Sequence, residues 1–303
     1  MTRALRLPLA AAAALLLAAC GGGGGDPGRP PPTVSNATAS DVRYSQTLTV
    51  TLNGTNLDQA LNVSSAGCRN VVRSTTPPFV SSATTAYYQC QASAVGAQEV
   101  VVRGPDNALL RNVPFTVAVP QVTMALSNGA GVNGNIVITL NPTAAPITVD
   151  NFLAYVNAGF YDGTVFHRHA PNFVLQGGGY ASPLNVQPFA PAPKPTNAPI
   201  ALEDLNGLSN LRWTVAMARM GDERTGANTA TSEFFVNLAD NLFLNGTQTR
   251  FGYAVFGTIT AGTDVVTAAQ AAPCSAWPNF FGPTSTDCLP VPNVTITTAT
   301  QTR

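Results

Sequence analysis

Charge is what this chain has least of. Only 10% of its 303 residues are Asp, Glu, Lys or Arg, and 15 of each sign cancel to a formal net charge of zero. An ordinary soluble domain carries roughly 25%. Lysine occurs once, at Lys194, and histidine twice, at His167 and His169. Without a basic surplus no cluster of cations is available to neutralise phosphates, which excludes nucleic acid as a partner. The shortage of both signs excludes a coiled coil, a charged disordered tail and an acidic solvating segment. The sequence has no CxxC pair, so a zinc site is a weak reading and no metal or other cofactor is expected. Long apolar runs are missing too. The stretch from Leu7 to Ala19 has 13 residues, short of the roughly 18–20 that span a bilayer. What is abundant is Gly (26) and Pro (24), with Thr and Asn among scattered apolar runs. That is the composition of a turn-rich β protein, and at about 100–200 residues per domain two domains are expected.

The N-terminus reads as an address. Arg3 and Arg6 precede an Ala/Leu run, the basic and apolar regions of a secretory signal. Leu17-Ala18-Ala19-Cys20 resembles the lipobox of bacterial lipoproteins. The resemblance implies removal of residues 1–19, lipidation of Cys20, and anchorage to a membrane surface through acyl chains. Gly21 stands where an Asp would mark inner-membrane retention, which implies the outer membrane of a Gram-negative-type envelope, facing the periplasm. Residues 20–32, with the run GGGGGDPGRPPP, read as a flexible and then stiffer tether. Export fits the four remaining cysteines, Cys68, Cys90, Cys274 and Cys288. Four cysteines allow three pairings. The local pairs Cys68–Cys90 and Cys274–Cys288 are the simplest, each closing a loop worth roughly 3 kcal/mol in the chain-entropy model.

Residues 33–118 carry short strand patterns. Leu48, Val50 and Leu52 alternate with threonines, and Asn53-Gly54 predicts a tight turn after them. Residues 86–90, 99–103 and 112–119 read as further strands, with a turn at Gly104-Pro105-Asp106-Asn107. The spacing suggests a small β-sandwich that loosely resembles immunoglobulin-like modules of bacterial surface proteins. No cluster here could do chemistry, which leaves a partner-binding or positioning module, or a spacer.

Residues 119–303 are more informative. Val122–Leu126 and Ile136–Leu140 read as strands. Val149, Phe152, Leu153 and Val156 then fall on one helix face, with Thr148 a candidate cap and Gly159 a candidate stop. Val165–Arg168 and Asn172–Gln176 read as strands; Thr263–Ala272, alanine-rich after Gly262, fits the second helix of the family that the following blocks resemble. Four ordered blocks follow a pattern: Phe166-His167-Arg168 with Pro171, Phe173 and Gln176-Gly177-Gly178; Ala216-Met217-Ala218-Arg219 with Ser232-Glu233-Phe234-Phe235-Val236-Asn237; Asn241-Leu242-Phe243-Leu244; and Phe251-Gly252-Tyr253-Ala254-Val255-Phe256-Gly257. These blocks resemble the cyclophilin family of peptidyl-prolyl cis/trans isomerases, and its bacterial periplasmic branch most. The resemblance implies a closed eight-stranded antiparallel barrel with two helices, acting as a monomer on Xaa-Pro segments of exported client proteins.

The chemistry suits those residues. Rotation about an Xaa-Pro bond faces a barrier of roughly 20 kcal/mol because nitrogen conjugates with the carbonyl. A fixed donor aimed at the nitrogen stabilises only the twisted state, where that nitrogen has become basic. By resemblance Arg168 is that donor and Phe173, Val174, Phe235 and Leu244 hold the proline ring. Gln176 orients the arginine, and Ala218, Arg219, Phe243 and Tyr253 complete the substrate groove. Glu233 departs from the family, which has a substrate-binding Gln there. A carboxylate cannot donate but can pair with Arg168 or Arg219, and Glu233 is expected to lower activity or shift substrate choice. Val174 replaces the commoner Met. His167, next to Arg168 on a strand, is expected to face the other way and to be structural. His169 and Trp213 have no assigned role. A cyclophilin-like binding module with little turnover is the alternative reading.

Overall fold

The computed structural model describes residues 28–184, 192–221, 226–282 and 284–303. The signal segment 1–19, Cys20 and the tether up to residue 27 lie outside the described residues.

Seven strands come first: β1 Thr33–Ala39, β2 Thr47–Thr55, β3 Asn62–Ser64, β4 Cys68–Arg73, β5 Thr85–Ala92, β6 Gly96–Arg103 and β7 Leu109–Val117. They form two antiparallel sheets, in the orders β1-β2-β5-β4 and β3-β6-β7. Period-2 alternation places Leu48, Val50 and Leu52 of β2, Tyr88 and Cys90 of β5, and Val113, Phe115 and Val117 of β7 in the core. Asn53-Gly54 is not the expected turn, because β2 runs through it, pairing Asn53 with Thr85 and Gly54 with Val34. The glycine serves a close approach instead. Strand β1 is irregular between Val34 and Asn36, and a Cβ on Gly54 would strike the Thr33 carbonyl.

The second unit contains β8 Gln121–Ser127, β9 Asn133–Leu140, α1 Pro146–Asn157, β10 Thr164–Ala170, β11 Val174–Ala181, β12 Thr214–Met217, β13 Phe234–Asn237, β14 Val255–Ala261, α2 Thr263–Ala271, β15 Cys274–Ala276, α3 Pro278–Phe281, β16 Cys288–Pro290 and β17 Thr295–Gln301. Pairing runs β11-β13-β12-β14-β9-β8-β17-β10 and then from β10 back to β11, so eight antiparallel strands close into a barrel. Its interior holds Met124, Ile138, Phe166, Phe234 and Phe256, and α1 adds Phe152, whose ring lies 4.9 Å from Phe256 and 5.6 Å from Phe234. The other face of the same strands carries a smaller cluster of Ala170, Val174, Ala216, Phe235, Leu244 and Val255. Strand alternation thus divides Phe234 and Phe235 between core and site.

Helix α1 corrects one expectation. It starts at Pro146, so Thr148 lies inside the first turn and its side chain caps nothing. The Glu203 carboxylate does so from a distant loop, accepting from the Ile147 N–H (3.1 Å), the Thr148 N–H (2.8 Å) and the Thr148 hydroxyl (2.7 Å). Gly159 ends the helix at φ +65°, as expected.

Disulfides Cys68–Cys90 and Cys274–Cys288 join β4 to β5 and β15 to β16. The two units touch: Gln301 donates to the Tyr44 carbonyl (3.0 Å), and Arg69 pairs with Asp150 (2.5 Å). Among the described residues no helix is long and apolar enough to cross a membrane.

Candidate active site

A cavity of about 150 Å³ opens on the outer face of the barrel, lined by Arg168, Phe173, Val174, Gln176, Ala218, Arg219, Phe235, Leu244 and Tyr253. Nine of the eleven residues expected at the site converge there from β10, β11, β13 and the segments that follow or flank the barrel strands. Glu233 lines the adjoining depression with Gln176, Ala218 and Arg219. Phe243 stands at the edge, 61% exposed, with its ring stacked on Phe173 at 5.5 Å.

Local backbone features aim these side chains. Phe166 pairs with Gly177 while Arg168 pairs with Gln176, so β10 carries an extra residue at His167. This bulge breaks the alternation that would have kept Arg168 on the same face as Phe166. Phe166 stays in the barrel core and Arg168 reaches the outer cavity. The same bulge overturns the expectation that His167 faces away from Arg168. The imidazole, 2% exposed, packs on Tyr180 at 4.7 Å and lies 3.4 Å from Glu233 Oε2, within the arginine's own network. Close approach of backbones requires glycine after Gln176. Gly178 adopts φ +87°, and a Cβ on it would come 3.0 Å from the Ser232 carbonyl.

The arginine is held at two points. Its Nε donates to Asp287 Oδ2 (2.6 Å) and its Nη1 to Gln176 Oε1 (3.0 Å). Gln176 in turn donates from Nε2 to Glu233 Oε2 (2.7 Å). Glu233 therefore pairs with neither arginine directly. It is spent on Gln176 and His167, and it fixes which way the Gln176 amide points. Burial pushes the Glu233 carboxyl up, but His167, Gln176 and the Arg168 charge outweigh burial and hold it below its ordinary value. Arg219 is spent as well. It donates to the carbonyls of Gly252 (2.7 Å), Phe251 (2.8 Å) and Met220 (2.7 Å) and lies over the Tyr253 ring at 4.6 Å. Its role is to shape the loop that presents Tyr253.

Two groups at the site were missed by sequence reasoning. One is Asp287. The other is a buried amide network in which Asn237 donates to Asn210 Oδ1 (3.1 Å) and Thr214 Oγ1 (2.9 Å). Asn241 donates to Asn237 Oδ1 (2.8 Å) and the Phe173 carbonyl (2.9 Å). That network fixes the backbone from which Phe173 projects. Asn237 and Asn241 stood in the matched blocks, and two amides four residues apart between apolar runs were the available signal.

A model of the cyclophilin type peptidyl-prolyl cis-trans isomerase/CLD family matches residues 122–301. The chain belongs to the cyclophilin-type peptidyl-prolyl isomerases. Over 132 residues it is 48% identical to peptidyl-prolyl cis-trans isomerase A of Dickeya dadantii, covering 44% of this chain and 64% of that protein, just under two thirds. It is 46% identical over 144 residues to a peptidyl-prolyl cis-trans isomerase of Acinetobacter baylyi (48% of this chain, 71% of the relative). A third relative, from Streptomyces antibioticus, is 48% identical over 149 residues (48% and 81%). The two-sheet unit before residue 122 lies outside the family match.

Among the described residues, His169, Cys274 and Cys288 bring candidate ligand atoms within 4.8 Å of one another, but the sulfurs are joined in the disulfide. A larger groove of about 650 Å³, lined by Val95, Val119, Leu208 and Leu211 among others, presents no ionisable side chain. The smaller cavity, unlike this groove, joins an apolar wall to the Arg168 guanidinium.

Proposed function

We propose that this cyclophilin is an exported, lipid-anchored peptidyl-prolyl cis/trans isomerase that assists the folding of cell-envelope proteins by acting on their exposed Xaa-Pro bonds. One observation carries the catalytic part. A guanidinium held at Nε and Nη1 borders a small cavity whose apolar wall is Phe173, Val174, Phe235 and Leu244. The wall suits a proline ring, and the remaining N–H groups of Arg168 are free to favour the twisted amide, whose nitrogen accepts a hydrogen bond the planar amide does not. The donor is charged at any physiological pH.

The address rests on the sequence of residues 1–32, with Cys20 as the lipidated residue, and the two disulfides suit an oxidising compartment. In this reading residues 33–118 form an immunoglobulin-like module. Its support is the division of seven strands as 1-2-5-4 and 3-6-7, the division used by immunoglobulin constant-type sandwiches. Residues 119–303 form the isomerase domain. The second reading, a binding module with weak turnover, draws on Glu233, an acceptor where a donor to substrate is expected.

The test is a prolyl-peptide isomerisation assay on the full chain with Arg168→Ala as control. Acceleration that falls by roughly 10²-fold or more in the variant supports the arginine role. A wild-type rate equal to background would remove the enzyme reading and leave the binding module. Loss of membrane association on Cys20→Ala tests the anchor.

A further inference from the structure

Asp287 comes from a segment outside the eight strands that close the barrel. After α2, residues 274–290 leave the barrel, form β15, α3 and β16, and return to β10, where Cys288 pairs with His169. The excursion has its own small core: Trp277, 2% exposed, packs with Leu289 and with Val165, Tyr180 and Leu184, its ring stacked on Phe280 at 4.6 Å. The Cys274–Cys288 disulfide closes its neck. Asp287, the residue before Cys288, points its carboxylate at Arg168 Nε, with its own N–H donating to Ser285 Oγ (3.1 Å). The pair is mostly buried, with side chains 27% and 17% exposed.

We infer that Asp287 is a positioning residue for Arg168, and that the Cys274–Cys288 disulfide holds it in place. The inference rests on Arg168 being the donor to the prolyl nitrogen. An arginine on an outer strand face would otherwise sample many rotamers. Gln176 alone fixes one nitrogen and leaves the guanidinium free to swing about that bond. A second bond at Nε, on the opposite edge of the planar group, removes the swing. Two of the five N–H donors are consumed and three remain for substrate. The carboxylate thus acts on the rate by keeping the donor preorganised and not by touching the peptide. Because Asp287 is adjacent to Cys288, opening the disulfide frees the backbone that presents it.

Isomerisation measured on the full chain tests this. Asp287→Ala should lower kcat by about tenfold with KM nearly unchanged, less than the roughly 10²-fold of a donor removed outright. Asp287→Asn, which keeps an acceptor of the same shape, should recover part of the loss. The pair Cys274→Ser/Cys288→Ser should reproduce the Asp287→Ala defect and add nothing to it, and Asp287→Ala should add nothing to Arg168→Ala. Circular dichroism confirms that each variant is folded, and the isosteric Asp287→Asn carries the test should the alanine variant not fold. If Arg168→Ala is slow while both Asp287 variants match or exceed wild type, Asp287 does not position the arginine. If Arg168→Ala keeps the wild-type rate, the arginine reading itself fails.

Discussion

Glu233→Gln is the substitution that says most about this site. In the structure the carboxylate accepts from Gln176 Nε2 at 2.7 Å and lies 3.4 Å from His167 Nε2. A glutamine in the same pose can still accept through its Oε1, so Gln176 keeps its orientation and Arg168 keeps its second tether. Two things change. A hydrogen bond to a charged acceptor, worth about 1.5–3 kcal/mol, becomes a neutral one worth about 0.5–1.5, a loss of roughly 1 kcal/mol. For a unit of this size that is about 2–4 °C in Tm. The depression beside Gln176, Ala218 and Arg219 also exchanges an anion for an N–H donor. Peptide carbonyls are acceptors, so one new neutral bond, about 1 kcal/mol, should raise kcat/KM about fivefold. The assay is isomerisation across a panel of Xaa-Pro peptides, with melting curves at several pH values. The folded-state pKa of Glu233 lies below the ordinary 4.5. Its stabilising effect is therefore complete above that value and is lost as pH falls through the folded-state pKa. The wild-type advantage in Tm should shrink on acidification below about pH 4.5. An unchanged kcat/KM across the panel would refute the claim that Glu233 limits activity or substrate range. An advantage that persists in acid would refute the charge argument.

Three further outcomes are expected. Phe243→Ala removes an exposed ring stacked on Phe173, and KM should rise about threefold with kcat held, since a contact of about 0.5–1.5 kcal/mol formed equally in ground and twisted states acts on binding alone; a fall in kcat would contradict this. Glu203→Ala leaves two N–H groups of α1 and the Thr148 hydroxyl without their acceptor and should cost about 1–2 kcal/mol by denaturant unfolding, with kcat/KM intact. Burial pulls the His169 pKa below 6.5, more than the Asp287 charge raises it, so the unfolded chain takes up the proton first and stability falls as pH drops below about 6.5; His169→Leu should flatten that part of the stability curve measured by urea titration.

The extent to which fold and site were legible follows from how far apart the interacting residues lie. Strands β8 and β9 announced themselves by alternation, and α1 by one apolar face, because those signals need only neighbours along the chain; α2 was legible only through the family resemblance, and β12 and β13, buried on both faces, show no alternation. Arg168, Phe173, Gln176, Phe235 and Leu244 were legible as members of ordered blocks, each block being a strand or turn with its own pattern. Expectations failed where a local rule met a tertiary contact. Asn53-Gly54 has turn chemistry, yet the packing of β1 against it put the pair inside a strand. Thr148 has cap chemistry, yet Pro146 began the helix earlier and Glu203, 55 residues on, supplied the acceptor. Alternation placed His167 opposite Arg168 until a single extra residue in β10 brought it to Glu233.

Asp287 shows why such partners escape a linear reading. It is 119 residues from Arg168, in a Gly/Pro-bearing segment whose only visible signal was a pair of cysteines. A disulfide there reads as a staple for a surface loop, and its simplest account is stability. The fold adds what the spacing cannot: β16 pairs with the same strand that carries the arginine, at His169. A constraint on the loop is then also a constraint on the proposed donor, Arg168. Prolyl isomerisation gives this unusual leverage, because it has no nucleophile, metal or proton relay to share the work. When a single donor carries the electrostatics, the rate depends on how narrowly that donor is held. A chain with few charges can meet that demand by placing one carboxylate on the far edge of one guanidinium and tying it down covalently.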